Sequence, residues 1–517
     1  GVVYRVCRQT HSDENEVITW PRPEETTITY RKVPTITCYT LGRLRHHDPI
    51  VLWGNEARRR ENSFAWTKLL LDNTLDRWDY LDDTLEAATR LGIFKTPNGK
   101  GAVDVVTDYL TMVHGHAWAQ LRAEIDDIVD HIPVELYVTY PAQWSGPAID
   151  ATLGAARRAG FQSKPGDSIF GLSEPMAAAR TVFDQFPHVL KEGDMMLVCD
   201  AGGGTVDLGA YQACDAEPHL YMRELTTARG ARCGSTAVDS RFYALMEQRF
   251  QRSFSQLPLQ HVGPGSPLME RFELYKSQVS LDTASGHLFY LPLNRLLHNA
   301  DPAHYRAESR HIVISAGDMR SLLQPVVGRI LALLFQQYRE AKEMCRADAV
   351  AGLSTPHPLL RHALRGLTLL RELAVVRGAL LYGCRRGPPL KIKCPRWYGF
   401  GNPHDWFFAK GTHYADGDQV RRAFTHFYGE GEPFVATNYI HACEEPADPA
   451  TMKSSLLQLN LETIDMRPLQ PLIVDGRTRL RVAYTVQFTF LGTEGRIAVQ
   501  AEAYGRLIAE TSFPIRR

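Results

Sequence analysis

The sequence is short of several features that would place it in large protein classes. No stretch approaches ~18 uninterrupted apolar residues, so no membrane-spanning helix is expected. The apolar run near Val326 to Phe335 is broken by Gly328 and Arg329 and reads as a buried helix. There is no excess of charge of either sign: Lys+Arg and Asp+Glu both number 58. A balanced chain has no general electrostatic pull toward nucleic acid or an anionic membrane, so neither is expected as a partner. The 9 cysteines are odd in number and scattered without C-x-x-C spacing, which argues against a disulfide framework and against structural zinc. That usage suits a reducing compartment, cytoplasmic or nuclear. A Walker A lysine motif, H-E-x-x-H and G-x-S-x-G are all missing, so the hydrolase readings tied to them lack support. Neither a short-period repeat nor a low-complexity segment is visible.

What is present is ordinary globular sequence. At 517 residues the length suggests about three domains, and 44% hydrophobic with 22% charged residues is enough for a sizeable core. Residues 1–190 alternate short β-rich runs with helices, and 191–385 continue in the same way. After Gly387-Pro388-Pro389 the texture changes: Leu480 to Phe490 alternates apolar and polar residues, the mark of a half-buried antiparallel strand. Residues 386–517 therefore read as a separate β-rich module.

The most informative segment is Asp200-Ala201-Gly202-Gly203-Gly204-Thr205-Val206-Asp207, set between two strand patterns, Met195 to Asp200 and Val206 to Tyr211. Three consecutive glycines let a backbone turn sharply and approach a ligand closely. Their N–H groups can then point at phosphate oxygens, as in other anion-binding nests. Thr205 can add a hydroxyl donor. Asp200 and Asp207 can hold Mg²⁺ through waters, because that ion takes few carboxylates and keeps much of its hydration.

This segment resembles the second phosphate motif of the actin/heat-shock-protein-70/sugar-kinase superfamily, D-x-G-G-G-T-x-D. Other segments are similar to that family's in the same order. Val138 to Trp144, followed by the helix to Gly160, looks like its first connecting segment, and Ser173-Glu174-Pro175-Met176-Ala177-Ala178-Ala179 looks like its N-E-P-x-A-A-A element. Glu372 to Gly383 resembles its closing helix. The set is closest to divergent heat-shock-70-like proteins of the kind expanded in fungi. The resemblance implies an α/β fold, the two-lobed actin-like (ribonuclease-H-like) ATPase fold, with a C-terminal β-rich module. Residues 1–190 would form the first lobe, and 191–385 the second lobe plus the closing helix.

It further implies ATP or ADP with Mg²⁺ between the lobes. Gly202, Gly203, Gly204 and Thr205 would grip phosphates, Asp200 and Asp207 would hold the metal's waters, and Glu174 would orient the attacking water. Lys68 would face the phosphates. Glu273, Lys276 and Ser280, on one helical face by spacing, would touch adenosine together with Gly352. Two departures stand out. The family's first phosphate motif, D-x-G-T-T, should precede a strand like Gly1 to Val6 and is absent, so a fragment is expected. The adenosine loop is reduced to Ala351-Gly352-Leu353-Ser354-Thr355-Pro356. The expected function is a chaperone-like, nucleotide-binding protein that hydrolyses ATP when complete, with the C-terminal module engaging a protein client or partner. The competing reading is a non-hydrolysing scaffold or regulator of the same fold, and a small-molecule kinase fits least.

Overall fold

The computed structural model describes residues 20, 32–40, 50–60, 62–72, 85–185, 191–214, 221–280, 283–293, 295, 297, 300–344, 349–353, 368–369, 374–383, 390–400, 405–429, 432–446, 452–460, 471–474, 477–492 and 495–515. Contacts divide the chain into two units. Gly1–Leu190, Met195–Ala210 and Ala228–Arg386 make the first; Lys191–Asp194, Tyr211–Thr227 and Gly387–Arg517 make the second.

In the first unit, strands Glu135–Tyr140 and Ser168–Ser173 pair in parallel, in register from Glu135↔Ser168 to Tyr140↔Ser173. Parallel neighbours need a crossover, and helix Gly146–Ala156 supplies it. Its start is set by sequence: the Ser145 hydroxyl accepts the Ala148 N–H at 3.3 Å, and proline sits in the first turn, where a missing N–H costs nothing. Past Ala156 a further helical turn, Arg157–Phe161, follows, broken by Gly160 at φ 97, a left-handed conformation that suits glycine. This crossover packs its alanines, Ile149 and Leu153 onto Tyr140, Trp144, Phe161 and Ile169. Trp20 and Trp53 meet edge to face at 6.0 Å in the same core. Three short antiparallel strands, Ile50–Trp53, Ile36–Thr40 and Ser63–Ala65, form a small sheet in that order. Arg58 and Arg59 tie the turn after its Ile50–Trp53 strand to Glu270 at 3.1 and 2.9 Å. Strand Met195–Ala201 neighbours Val206–Cys214 on one side and pairs in parallel with Ala349–Leu353 on the other. Its run Met195 to Cys199 is buried on both faces, as parallel-sheet strands are.

The second unit is β-rich. Strands Gln419–Tyr428, Arg477–Leu491, Arg496–Ala503 and Arg506–Pro514 run antiparallel in that order. The alternation expected at Leu480 to Phe490 holds: Val482, Tyr484, Val486, Phe488 and Phe490 all face the core. Aromatic stacking fills that core, with Phe407 on Phe488 at 4.1 Å and Phe400 edge-on to Phe488 at 5.1 Å. Buried Tyr398 donates its hydroxyl to the Ile515 carbonyl at 2.6 Å, fastening the end of the chain to this core. Tyr398→Phe should therefore lower unfolding stability by ~1–3 kcal/mol, because the Ile515 carbonyl loses its donor in a dry site. Denaturant unfolding of the two proteins checks this, and equal midpoints would contradict it.

No helix among the described residues is long and apolar enough to cross a membrane. The strand-like start Gly1 to Val6, Glu372 and the segment Ser354 to Pro358 lie outside the described residues.

Candidate nucleotide site

The triple-glycine turn sits between the two strands that its flanks predicted, Met195–Ala201 and Val206–Cys214. A hydrogen bond from the Gly202 N–H to the Thr205 carbonyl at 2.9 Å closes it. What holds it in place is the start of helix Ser235–Phe250. Helix N-termini carry N–H groups with no intrahelical acceptor. Here Ser235 and Thr236 donate to the carbonyls of Gly202 and Gly203 at 3.1 and 2.8 Å, and Gly234 reaches the Gly204 carbonyl at 3.4 Å. With its carbonyls tied back to the helix, the turn has its Gly203 and Gly204 N–H groups without a backbone acceptor among the described residues. The closeness depends on residue 234 being glycine, since a Cβ there would lie 2.7 Å from the carbonyl oxygens of Gly202 and Gly203.

Three carboxylates gather beside this turn. Asp207 is 1% exposed. Its Oδ1 accepts the Ala142 N–H at 2.6 Å, while its Oδ2 is buried with no hydrogen-bond partner among the described residues. Burial first, then the charges of Glu174 and Asp200, push its pKa well above the usual carboxylate range; the Thr205 hydroxyl and the Ala142 N–H oppose them. Glycine is needed again at position 230, where a Cβ would meet Asp207 Oδ1 at 2.9 Å. Glu174 opens helix Glu174–Gln185 and accepts a hydrogen bond from Lys68 at 2.6 Å.

Lys68 arrives on a short 3-10 turn, Thr67–Leu70, entered through Trp66 at φ 61, a left-handed conformation rare for a bulky side chain. The turn packs against the glycines: a Cβ on Gly204 would touch Leu69 at 2.8 Å. The Lys68 ammonium lies 5.5 Å from the Trp144 ring centre and its side chain stays 45% exposed. Desolvation pulls its pKa down, but Glu174, Asp207 and Asp200 outweigh that and hold it above the ordinary lysine value.

The expected adenosine group divides. Glu273 and Lys276 lie on helix Pro267–Gln278. Lys276 is buried, with its ammonium 2.7 Å from Asp239 and 2.6 Å from Glu273. Asp239 sits one turn beyond Ser235 on the helix that ties the glycine turn, so both contacts share one face. Ser280 is a correction to the helical-face reading. The helix ends at Gln278, and the Ser280 N–H is accepted by Thr283 Oγ1 at 3.1 Å instead. Gly352 is a second correction, lying inside strand Ala349–Leu353 opposite Val198 and Thr368 and not in a loop.

Sequence reasoning overlooked Gly230, Gly234, Trp66 and Leu69 as supports of the site. The one visible signal was the pair of glycines four apart, Gly230 near the end of strand Tyr221–Ala231 and Gly234 just before helix Ser235–Phe250. Among the described residues, no group of three or more His, Cys, Asp or Glu is close enough to hold a metal ion directly.

Set beside known proteins, the chain is 24% identical to "Heat shock 70 kDa protein 12B" of Homo sapiens over 499 aligned residues, 75% of this chain and 72% of that protein. The relatives it resembles are heat-shock-70 proteins, and they support the actin/heat-shock-protein-70 superfamily. The chain is 26% identical to "Heat shock 70 kDa protein 12A" of Homo sapiens over 244 residues, 41% of this chain and 35% of that one. To "Chaperone protein DnaK" of Buchnera aphidicola subsp. Schizaphis graminum it is 24% identical over 240 residues, 45% of this chain and 35% of the relative. No family model matches the chain. Against the last two relatives, this heat-shock-70-like chain spans about a third of their length. These relatives are mammalian and bacterial, so they support the superfamily and not a fungal branch.

Proposed function

We propose that this heat-shock-70-like chain binds ATP or ADP together with Mg²⁺ at the Gly202–Thr205 turn, and that the complete protein hydrolyses ATP there. The observation that carries the reading is the buried Oδ2 of Asp207, without a hydrogen-bond partner among the described residues and crowded by Glu174 and Asp200 beside a backbone turn whose N–H groups have no backbone acceptor there. Such an arrangement is costly alone, because like carboxylates in a buried site repel. A hydrated cation relieves it, and Asp200 and Asp207 would hold that cation's waters.

When bound, Mg²⁺ neutralises phosphate charge. The chain's own groups do the rest. The N–H groups of Gly203 and Gly204 bind phosphate oxygens. The Lys68 ammonium, kept charged and pinned by Glu174, presents a cation to the same oxygens. Glu174, which accepts the Lys68 hydrogen bond through one carboxylate oxygen, can accept a hydrogen bond from water and so orient it. Positioning and charge compensation are what phosphoryl transfer asks of a protein. The β-rich module, by this reading, carries the contact with a protein client or partner.

Calorimetric titration of the chain with ATP tests the reading. Binding should need Mg²⁺, and Glu174→Gln should weaken it by about tenfold by releasing Lys68 from its partner. Binding unchanged by chelation of Mg²⁺ would overturn the metal assignment, and no detectable binding would overturn the nucleotide. In a longer protein carrying a D-x-G-T-T turn, Asp200→Ala should abolish phosphate release.

A further inference from the structure

A second feature, independent of the nucleotide site, lies in the β-rich unit. Val482, Tyr484, Val486, Phe488 and Phe490 point into its core, so the odd-numbered residues of strand Arg477–Leu491 face outward. The strand begins with arginines at alternate positions, 477, 479 and 481. They form a ladder on one face, spaced by about 6.8 Å. Apolar residues flank it across the hydrogen-bond register: Val474 opposite Arg477, Leu472 opposite Arg479 and Phe427 opposite Arg481.

Two other arginines of this unit reach carboxylates, while Arg421 bonds the Gln487 side chain at 2.6 Å. Arg396 reaches Glu444 at 3.0 Å and Arg422 reaches Asp405 at 3.2 Å. Among the described residues, none of the three ladder arginines has such a partner. Three guanidinium groups in one row, with no carboxylate partner among the described residues, repel one another, an arrangement that an opposing row of negative charge would relieve.

We propose that this ladder docks an acidic, extended segment of a partner protein, with carboxylates at every second residue. An extended polypeptide presents alternate side chains to one side with the same repeat as the ladder, and guanidinium pairs with carboxylate in a two-pronged geometry. The neighbouring apolar residues give such a segment something to rest on. Single-stranded nucleic acid has a similar charge repeat, but it takes a series of aromatic platforms for its bases; here the residues opposite Arg477 and Arg479 are aliphatic, and aromatics stand only toward the Arg481 end among the described residues, Phe427 opposite it and Tyr504 at the Ala483 N–H. An anionic membrane would want the most exposed apolar side chain on the basic face. That residue, Ile473 at 81% exposure, pairs with Thr478 and so faces the other way.

The test uses the full chain and fluorescence anisotropy. The probes are a labelled peptide alternating glutamate and threonine, one of equal composition with its glutamates in a single block, and an alternating lysine peptide. The alternating acidic peptide should bind, the block peptide more weakly and the basic peptide not at all. Reversing the row, R477E with R479E and R481E, should weaken binding by roughly tenfold or more, and circular dichroism reports whether the sheet survives. If the reversal disturbs the fold, Arg479→Gln alone must still weaken binding by about threefold. Equal binding of the alternating and block peptides, indifference to these substitutions, or tighter binding of a single-stranded oligonucleotide or of phosphatidylserine vesicles would each overturn the proposal.

Discussion

Gly234→Ala is expected to lower ATP affinity by about 10²-fold, the scale on which a misplacement near 1 Å acts at a reacting site. The added Cβ would stand 2.7 Å from the oxygens of Gly202 and Gly203 and from the carbonyl carbon of Gly204. All three are backbone atoms, so no side chain can rotate out of the way. Either the glycine turn or the start of helix Ser235–Phe250 must retreat, and the bonds from Ser235 and Thr236 to the turn lengthen with it. Overpacking of this kind costs ~1–3 kcal/mol, so the thermal midpoint should fall as well. Gly203→Ala is the matched control. Its Cβ would meet nothing within 4 Å, so stability should stay within about 0.5 kcal/mol of the parent. Calorimetry with ATP and a thermal melt of both variants separate the outcomes. Equal affinities for Gly234→Ala and the parent would mean that the helix does not position the turn.

Asp207→Asn should trade stability against metal-dependent binding. Asn keeps an oxygen for the Ala142 N–H, now at 2.6 Å from Oδ1, but removes a charge from a buried, crowded place. The sign follows from proton counting. The folded-state pKa of Asp207 is raised, by burial and by Glu174. Between the unfolded and the folded pKa the native state binds the extra proton, so stability falls as pH rises through that window. Above the unfolded pKa, Asp207 therefore costs stability in the absence of nucleotide and metal, and the uncharged variant escapes that cost. The expected result is a protein more stable than the parent above the ordinary carboxylate range and equal to it in acid, with Mg²⁺-dependent ATP affinity reduced by at least about tenfold. Melts across pH, with and without Mg²⁺·ATP, check both halves. A variant less stable than the parent at neutral pH would show that the Asp207 charge is satisfied in the native state.

Much of this protein was legible before its structure. Strands Met195–Ala201 and Val206–Cys214, helix Gly146–Ala156 and the alternating strand Arg477–Leu491 follow from local signals: apolar runs, a serine cap with its proline, and period-two patterning. The glycine turn with its two aspartates was likewise visible, because close approach to phosphate demands residues without Cβ atoms, and that demand is local. Boundaries were read less well. The helix reaching Gln278 was read through to Ser280, since nothing in the three- and four-residue spacing marks where the backbone turns extended at Val279. Gly352 was placed in a loop because Ala351 to Pro356 resembles the family's adenosine loop. Pairing of Ala349–Leu353 with Met195–Ala201 overrides that placement through ladder hydrogen bonds to a strand far away in sequence.

By itself, then, the sequence determined which residues could bend around an anion, which acids accompany them and which superfamily the chain resembles. Tertiary structure alone decided that Lys68 meets Glu174 across 106 positions of chain, that a helix N-terminus ties back the glycine carbonyls, and that one oxygen of Asp207 is left without a partner among the described residues. The reason is physical: composition and periodicity encode how each segment folds on its own. Burial, mutual repulsion of carboxylates and the fit of a glycine against another backbone exist only once distant segments are packed together.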